Sequence, residues 1–351
     1  MVEMGDWQGN LAVTGVGLVT PVGLTAPATA AALRGAISRL SLSKYLYIPR
    51  GEEDYDPVTC AQIPELCEGL MGMRRLRAML RPALIEALQQ AGVSADAKVG
   101  LYLGTSGAHA AERFLDYDPA YRALVKDAWP GEIADESIHL IPGGRTACLS
   151  ALRQAARALE TQDIEYAVVG SVDSWVTPRP LHWLLEEGLL PASPRKTGMI
   201  PGEAAGFLVI ESLAAAQRRA AQVLARVTRS SGRLDQTPKG EPMLGHALAE
   251  ALRTAGQGLH DQDPVMYSDL NGDRYRVLEW AGAEVKGMWP YQNMVTEHCA
   301  DCVGDSGAAM GAINLAWATQ TLHRDHIDHQ RIFVWGSAME GGREVAVVER
   351  V

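Results

Sequence analysis

The chain has 351 residues, 47% of them hydrophobic, and a formal net charge of −10. That length suits two domains or one large α/β unit, and the acidic balance argues against nucleic acid or an anionic membrane as the main partner. No apolar run reaches the length of a membrane span and the N-terminal "MVEMGDWQGN" lacks an apolar leader core, so the cytoplasm is the expected compartment. Cys60, Cys67, Cys148, Cys299 and Cys302 are too scattered for a disulfide scaffold.

In chain order, "LAVTGVGLV" from Leu11 reads as a buried strand that breaks at Thr20-Pro21-Val22-Gly23, and "APATAAALRG" as a helix closing at Gly35. Leu40 to Thr59 reads as irregular. "MRRLRAMLRPALIEALQQAGV" is a long amphipathic helix despite Pro82, with Gly92 as its stop. "KVGLYLGTSG" is a strand and glycine turn, and "EYAVVGSVDSW" and "GMIPGEAAGFLVIES" supply two more buried strands. The second half repeats the alternation, from "QVLARVTRSS" through "LGHALAEALRTAG", "PVMYSDLNG" and "GDSGAAMGAINLAWATQTL" to the strand pair in "RIFVWGSAMEGGREVAVVER". Strands alternating with helices predict a mostly parallel or mixed sheet covered on both faces. The two similar halves, residues 1–215 and 216–351, point to an internal duplication.

"GGRTACLSALRQAARAL" places Cys148 where a small-residue loop enters a helix. Unpaired N–H groups and the helix dipole favour a thiolate there, which suits a nucleophile; a buried structural cysteine has the same sequence signature.

Five segments, "VTGVGLVTPVG", "TACLSAL", "AVVGSVDSWVTP", "PGEAAGFLVIE" and "GDSGAAMGAINLA", occur in the order and at the approximate intervals of β-ketoacyl synthases, so the chain resembles that family of the thiolase-like superfamily. The resemblance implies a thiolase-like five-layer αβαβα fold of two duplicated halves. It implies a dimer, either homodimer or heterodimer with a homologous synthase, joined through the strand around "AVVGSV". It also implies an acyl thioester substrate and an acyl carrier protein as partner, with no cofactor, and places Cys148 at the nucleophile position.

The family pattern also breaks. Where the family has two histidines that donate hydrogen bonds to an enolate oxygen, this sequence has Asn271 and Asp305, and Ala300 replaces a lysine. Asparagine keeps an N–H donor, whereas an ionised aspartate has none and repels a malonyl carboxylate. The closing glycine-rich turn reads "WGSAMEGG", and the resemblance puts Met339 and Glu340 at the gate and oxyanion loop, with Glu340 either pointing inward, its charge near the site, or outward as a solvated carboxylate. Glu203 matches a structural, ion-paired acid of the family. His298, seven residues before Asp305, is a candidate auxiliary base for Cys148, or else a solvent-facing loop residue. Its "EHCADC" context is half a zinc site and "HRDHIDH" reads as a polar turn, so no metal is expected. The charges Asp269, Asp273, Arg274 and Arg276 around Asn271 form an ion-pair network or merely fix the turn. Arg74, Arg75, Arg77 and Arg81 form the best basic patch, a candidate carrier-docking surface or a set of surface ion pairs.

Two functions follow from these residues. One is a divergent acyltransferase that forms an acyl thioester on Cys148, with decarboxylative condensation disfavoured. The other is a degenerate synthase homologue that acts as an acyl- or carrier-binding, or chain-length-factor-like, partner subunit.

Overall fold

A computed structural model describes residues 4–49, 55–94, 96–107, 117–161, 164–191, 197–237, 241, 244–259, 264–286 and 294–351. Its strands are β1 Gly5–Val19, β2 Ser41–Pro49, β3 Tyr55–Cys60, β4 Val99–Thr105, β5 Ile138–Pro142, β6 Tyr166–Ser174, β7 Glu203–Ser212, β8 Ala225–Leu234, β9 Val265–Ser268, β10 Val295–His298, β11 Arg331–Ser337 and β12 Gly342–Glu349. Ten of them join in the order β10-β9-β11-β12-β8-β1-β7-β6-β4-β5.

The two halves of that order are the same topology written twice. In chain sequence, β1, β4, β5, β6 and β7 lie in the spatial order third, second, fourth, fifth, first, and so do β8, β9, β10, β11 and β12. The directions agree as well: β4 is parallel to β5 and β6, as β9 is to β10 and β11, while β7 and β12 run antiparallel to their neighbours. The halves meet at β1, whose residues Leu11, Ala12 and Val13 pair with β7 on one side and β8 on the other.

Helices make the remaining layers. Helix Gly72–Ala91 covers one face of the first half, and the glycines of "TGVG" let it sit directly on β1: a Cβ on Gly15 or Gly17 would strike the carbonyls of Ala87 or Ala83. Helix His246–Ala255 covers the equivalent face of the second half, against β8 and β12. Between the half-sheets lie helix Ala147–Thr161, on β4 and β6, and helix Met310–His323, on β7 and β11. The latter is buried from Met310 to Leu322, its polar Asn314, Thr319, Gln320 and Thr321 included, as befits a central helix covered on all sides. The result is the αβαβα arrangement.

Two expectations need correcting. Residues 40–59 are not irregular throughout: β2 and β3 form an antiparallel hairpin whose Ile48, Val58 and Cys60 pack with Trp175 and Leu181. Its register slips between Leu42 and Tyr47, and that slip breaks the alternation by which a strand is recognised. The strand around "AVVGSV" is β6, hydrogen-bonded on both sides, so it has no edge through which a partner's sheet could continue. The open edges belong to β5 and β10.

Candidate active site

Cys148 is the second residue of helix Ala147–Thr161, which is led in by a 3-10 turn at Gly144–Thr146. The cysteine is completely buried. It is packed from below by Gly104, where a Cβ would lie 2.8 Å from the Cys148 nitrogen, and from the side by Gly311, where one would lie 3.1 Å from the Cys148 Cβ. Burial pushes the thiol up to about 12, with the Ser171 hydroxyl opposing only in part. The helix terminus alone predicts a lowered value. Desolvation of the charged form outweighs the helix terminus, because the thiol is completely buried.

The two positions that depart from the family's histidines come together. Asn271, just after β9, donates through Nδ2 to Oδ2 of Asp305. The same oxygen receives Arg145, with Nε at 2.7 Å and Nη2 at 2.5 Å. The other carboxylate oxygen accepts the N–H of Gly307 at 2.8 Å. The backbone of Asp305 is pinned too, its N–H donating to the Ile200 carbonyl and its carbonyl accepting from Gly202, both at 2.7 Å. Asp305 and Arg145 are both buried. Burial works to raise the Asp305 carboxyl, but the Arg145 guanidinium and the hydrogen bonds from Arg145, Asn271 and Gly307 hold it below its ordinary value. Asp305 is therefore an ionised acceptor, and the Asn271 amide is turned towards it.

A second buried pair extends this network. Arg276 binds Asp269 and the Ser337 carbonyl, while the Ser337 N–H donates to Asp269 at 3.0 Å. Burial raises the Asp269 carboxyl, against the opposing pull of Arg276 and Arg145. Of the charges flanking Asn271, Asp269 and Arg276 form an ion pair, and the Asp273 N–H bonds Asn271 Oδ1 at 3.1 Å to fix the turn.

At the mouth, the turn between β11 and β12 carries Met339, 43% exposed, and Glu340, half-buried. The Ala338 N–H is used within the hairpin, donating to Gly342 at 2.8 Å. The Glu340 carboxylate packs over Gly107, with Oε2 3.3 Å from where a Cβ on Gly144 would lie. The remaining cavity, lined by Gly144, Arg145, Trp175, Trp183, Gly307 and Glu340 among others, measures about 20 Å³. That is room for roughly one water molecule. His298 lies at the end of edge strand β10, its Nδ1 2.8 Å from the Ser268 hydroxyl. Among the described residues no cluster of three or more ligand-type side chains suits a metal, and no helix is long and apolar enough to cross a membrane.

Residues 9–216 match the family model of the β-ketoacyl synthase N-terminal domain. The chain belongs to the β-ketoacyl synthase family. It is 26% identical over 301 residues to a Streptomyces rimosus protein named for the β-ketoacyl synthase 1 of oxytetracycline polyketide, covering 70% of this chain and 68% of that one. It is 29% identical over 210 residues to the spectinabilin polyketide synthase system protein NorA' of Streptomyces orinoci, covering 51% of this chain but 6% of that one. Among solved structures, a type II polyketide ketosynthase in complex with its acyl carrier protein superposes with TM-score 0.78 at 14% identity, over 98% of this chain and 100% of that one. The ishigamide ketosynthase/chain length factor superposes with TM-score 0.74 at 16% identity, over 98% and 100%.

Within this ketosynthase fold the basic patch divides. Arg75 does not face solvent: it is buried and forks onto Glu203, Nε to Oε2 at 2.5 Å and Nη2 to Oε1 at 2.7 Å, with Ile63 N–H and Ser174 Oγ completing the carboxylate. The patch expectation fails for this residue because Arg75 lies on the inward face of its helix, where Glu203 needs a cation. Arg77 pairs with Asp127 and Arg81 donates to the Asp127 carbonyl at 3.2 Å, leaving Arg74 as the exposed member outside these contacts. Arg145, the buried partner of Asp305, is the residue of this network that motif reading passed over. Its signal was available: a single arginine in a loop of small residues next to a buried helix must find a buried anion.

Proposed function

We propose that this ketosynthase-family protein is a partner subunit that binds within a polyketide-type assembly and does not itself carry out decarboxylative condensation. The observation that carries this reading is the Arg145–Asp305–Asn271 network. Condensation needs two N–H donors aimed at an enolate oxygen where charge develops. Here one position is an ionised acceptor and the other has its donor committed to that acceptor. The one-water cavity and the neutral, buried Cys148 thiol support the same conclusion. In this reading Cys148 is retained as a packing residue at the centre of the fold. Glu340 and Met339 close the mouth, and His298 serves the β9–β10 edge. The partner is a homologous synthase or a second copy, docking along the open edge at β5, with an acyl carrier protein engaging Arg74 and the exposed parts of Arg77 and Arg81. The structural likeness to a ketosynthase/chain length factor and to a ketosynthase complexed with its carrier supports such partners.

A second reading, acyl transfer through a thioester on Cys148, is favoured by the cysteine's position at the start of a central helix. One experiment separates the two. The native protein and Cys148→Ala are incubated with acetyl and malonyl thioesters, with intact-mass spectrometry for adducts and carbon dioxide release as readouts. The partner reading expects neither adduct nor gas above buffer. An adduct on native protein that Cys148→Ala abolishes establishes acyl transfer, and rapid carbon dioxide release by the native protein overturns the partner reading.

A further inference from the structure

Two helices hold the same place in the two halves. Helix Tyr117–Ala128 follows β4 and precedes β5, and helix Arg274–Lys286 follows β9 and precedes β10. The first is amphipathic in the ordinary sense: it buries Tyr121, Leu124, Val125 and Ala128, and its Asp118, Lys126 and Asp127 form surface ion pairs with Arg122, Asp135 and Arg77. The second is turned inside out. Arg276 and Glu279 point inward, bound to Asp269 and Arg343, while Tyr275, Val277, Leu278 and Val285 stand 48–70% exposed. Leu244, also exposed, extends the patch, its carbonyl accepting from the Lys286 ammonium at 2.7 Å. The helix cannot roll its apolar side under, because that would break two buried ion pairs. An apolar face with no route inward marks an interaction surface.

Its charges indicate what covers it. Asp273 and Lys286 are used within the chain, the Asp273 carboxylate taking the Tyr275 N–H at 3.1 Å. Arg274 and Glu284 are exposed and make no ion pair with a described residue. Each stands at the wrong end for its own helix dipole, the cation in the first turn and the acid in the last. Against an antiparallel copy both are well placed, because Arg274 meets the partner's Glu284 and the negative end of its helix. Arg274, Leu278, Ala281 and Val285 follow a 4-3-4 spacing and form one straight seam. Paired antiparallel, that seam sets Leu278 over the small Ala281 of the second copy and Val285 against the aliphatic stem of Arg274.

We propose that helix Arg274–Lys286 pairs antiparallel with the same helix of a second copy of this chain, about a two-fold axis. The face belongs to the second half and not to the β5 edge offered above to a synthase partner, so the inference stands apart from that reading. Roughly eight side chains per copy, against about 20–30 in a standard interface, make the pair weak and concentration-dependent.

Sedimentation velocity of the native chain across the micromolar range is compared with Leu278→Glu, Arg274→Glu, Glu284→Arg and the double reversal Arg274→Glu with Glu284→Arg. Near-UV circular dichroism confirms the fold of each, which surface changes should leave intact. Native protein is expected to dimerise as concentration rises, and Leu278→Glu to stay monomeric. Each single reversal should weaken association about tenfold, since symmetry counts the change twice, and the double reversal should recover part of that loss. Only a surface that pairs with itself is repaired by exchanging both signs in one chain. Native protein that remains monomeric, dimers that Leu278→Glu leaves unchanged, or a double reversal no stronger than the single ones overturns the proposal. Monomeric native protein that floats with phosphatidylglycerol vesicles, while Leu278→Glu does not, overturns it in favour of a lipid surface.

Discussion

The entries of the two central helices are the same local structure with different side chains. Gly144 and Gly307 both take a left-handed φ, 55° and 58°, each opens a 3-10 turn, and each leads into a long buried helix. The second helical residue is Cys148 in the first case and Gly311 in the second, and the two face each other across the centre of the molecule. The first entry carries a cation, Arg145, and the second an anion, Asp305, and they bind one another. Duplication supplied two equal backbones; the chemistry lies in how their side chains became complementary.

The largest effect is expected from breaking that complementarity. Asp305→Ala leaves Arg145 buried without its main counter-charge and should cost about 3–5 kcal/mol in urea unfolding. For the same reason, the double change Asn271→His with Asp305→His should destabilise the protein and not release carbon dioxide from a malonyl thioester. Adding Arg145→Ala should recover part of the stability. Full stability of the double variant would show that Arg145 has another counter-charge. Next in size, Gly311→Ala places a methyl 3.1 Å from the Cys148 Cβ, and overpacking set against the helix gain of alanine should leave a net cost of about 1 kcal/mol. Cys148→Gly in the same chain should return a measurable part of that loss, and strict additivity of the two changes would deny the contact.

The thiol offers a sharper contrast. Iodoacetamide should modify Cys148 more slowly than it modifies a free cysteine peptide at pH 8, and its rate should not rise through the ordinary thiol range, because the folded value is about 12. Peptide mapping after timed labelling checks this, and rapid labelling of Cys148 in folded protein would refute its burial. The sign for stability is that of a raised acid: the contribution is complete below the ordinary thiol value and is lost as pH climbs from there towards about 12. Asp305 acts oppositely. Its lowered value stabilises the fold above the ordinary carboxylate range, and that contribution is lost as pH falls below it. Acid unfolding of native protein should therefore be steeper in that window than that of Asp305→Asn. The smallest effect is expected at the exposed Arg74, where Arg74→Glu should move stability by no more than about 0.5 kcal/mol while weakening capture of an acidic carrier protein.

Much of this was legible in the sequence. The strand and helix alternation, the glycine turns and the spacing of five segments are local signals, and they carried the family and the layered fold. The pairing of Asn271 with Asp305 was legible only as two departures, because the third member, Arg145, belongs to another segment and no periodicity links them. Burial was the commonest source of error. A helix terminus beside Cys148 is visible in the sequence, but the complete burial of the sulfur is a property of the packed layers. Arg75 looks like its neighbours Arg74 and Arg77 until the helix is turned so that one of the three faces Glu203.

Strand β1 has a consequence for how the chain is made. Leu11 bonds to Ser212 on one side and Val227 on the other, so both sides of this strand wait for partners synthesised far downstream. At about 5–20 residues per second, translation keeps β1 waiting roughly 10–40 s after it forms, with its backbone groups and apolar side chains unpaired. The first half-sheet is incomplete without this strand and the two half-sheets join through it, so the ten-stranded sheet closes late, through contacts of high sequence separation, and slow folding is expected.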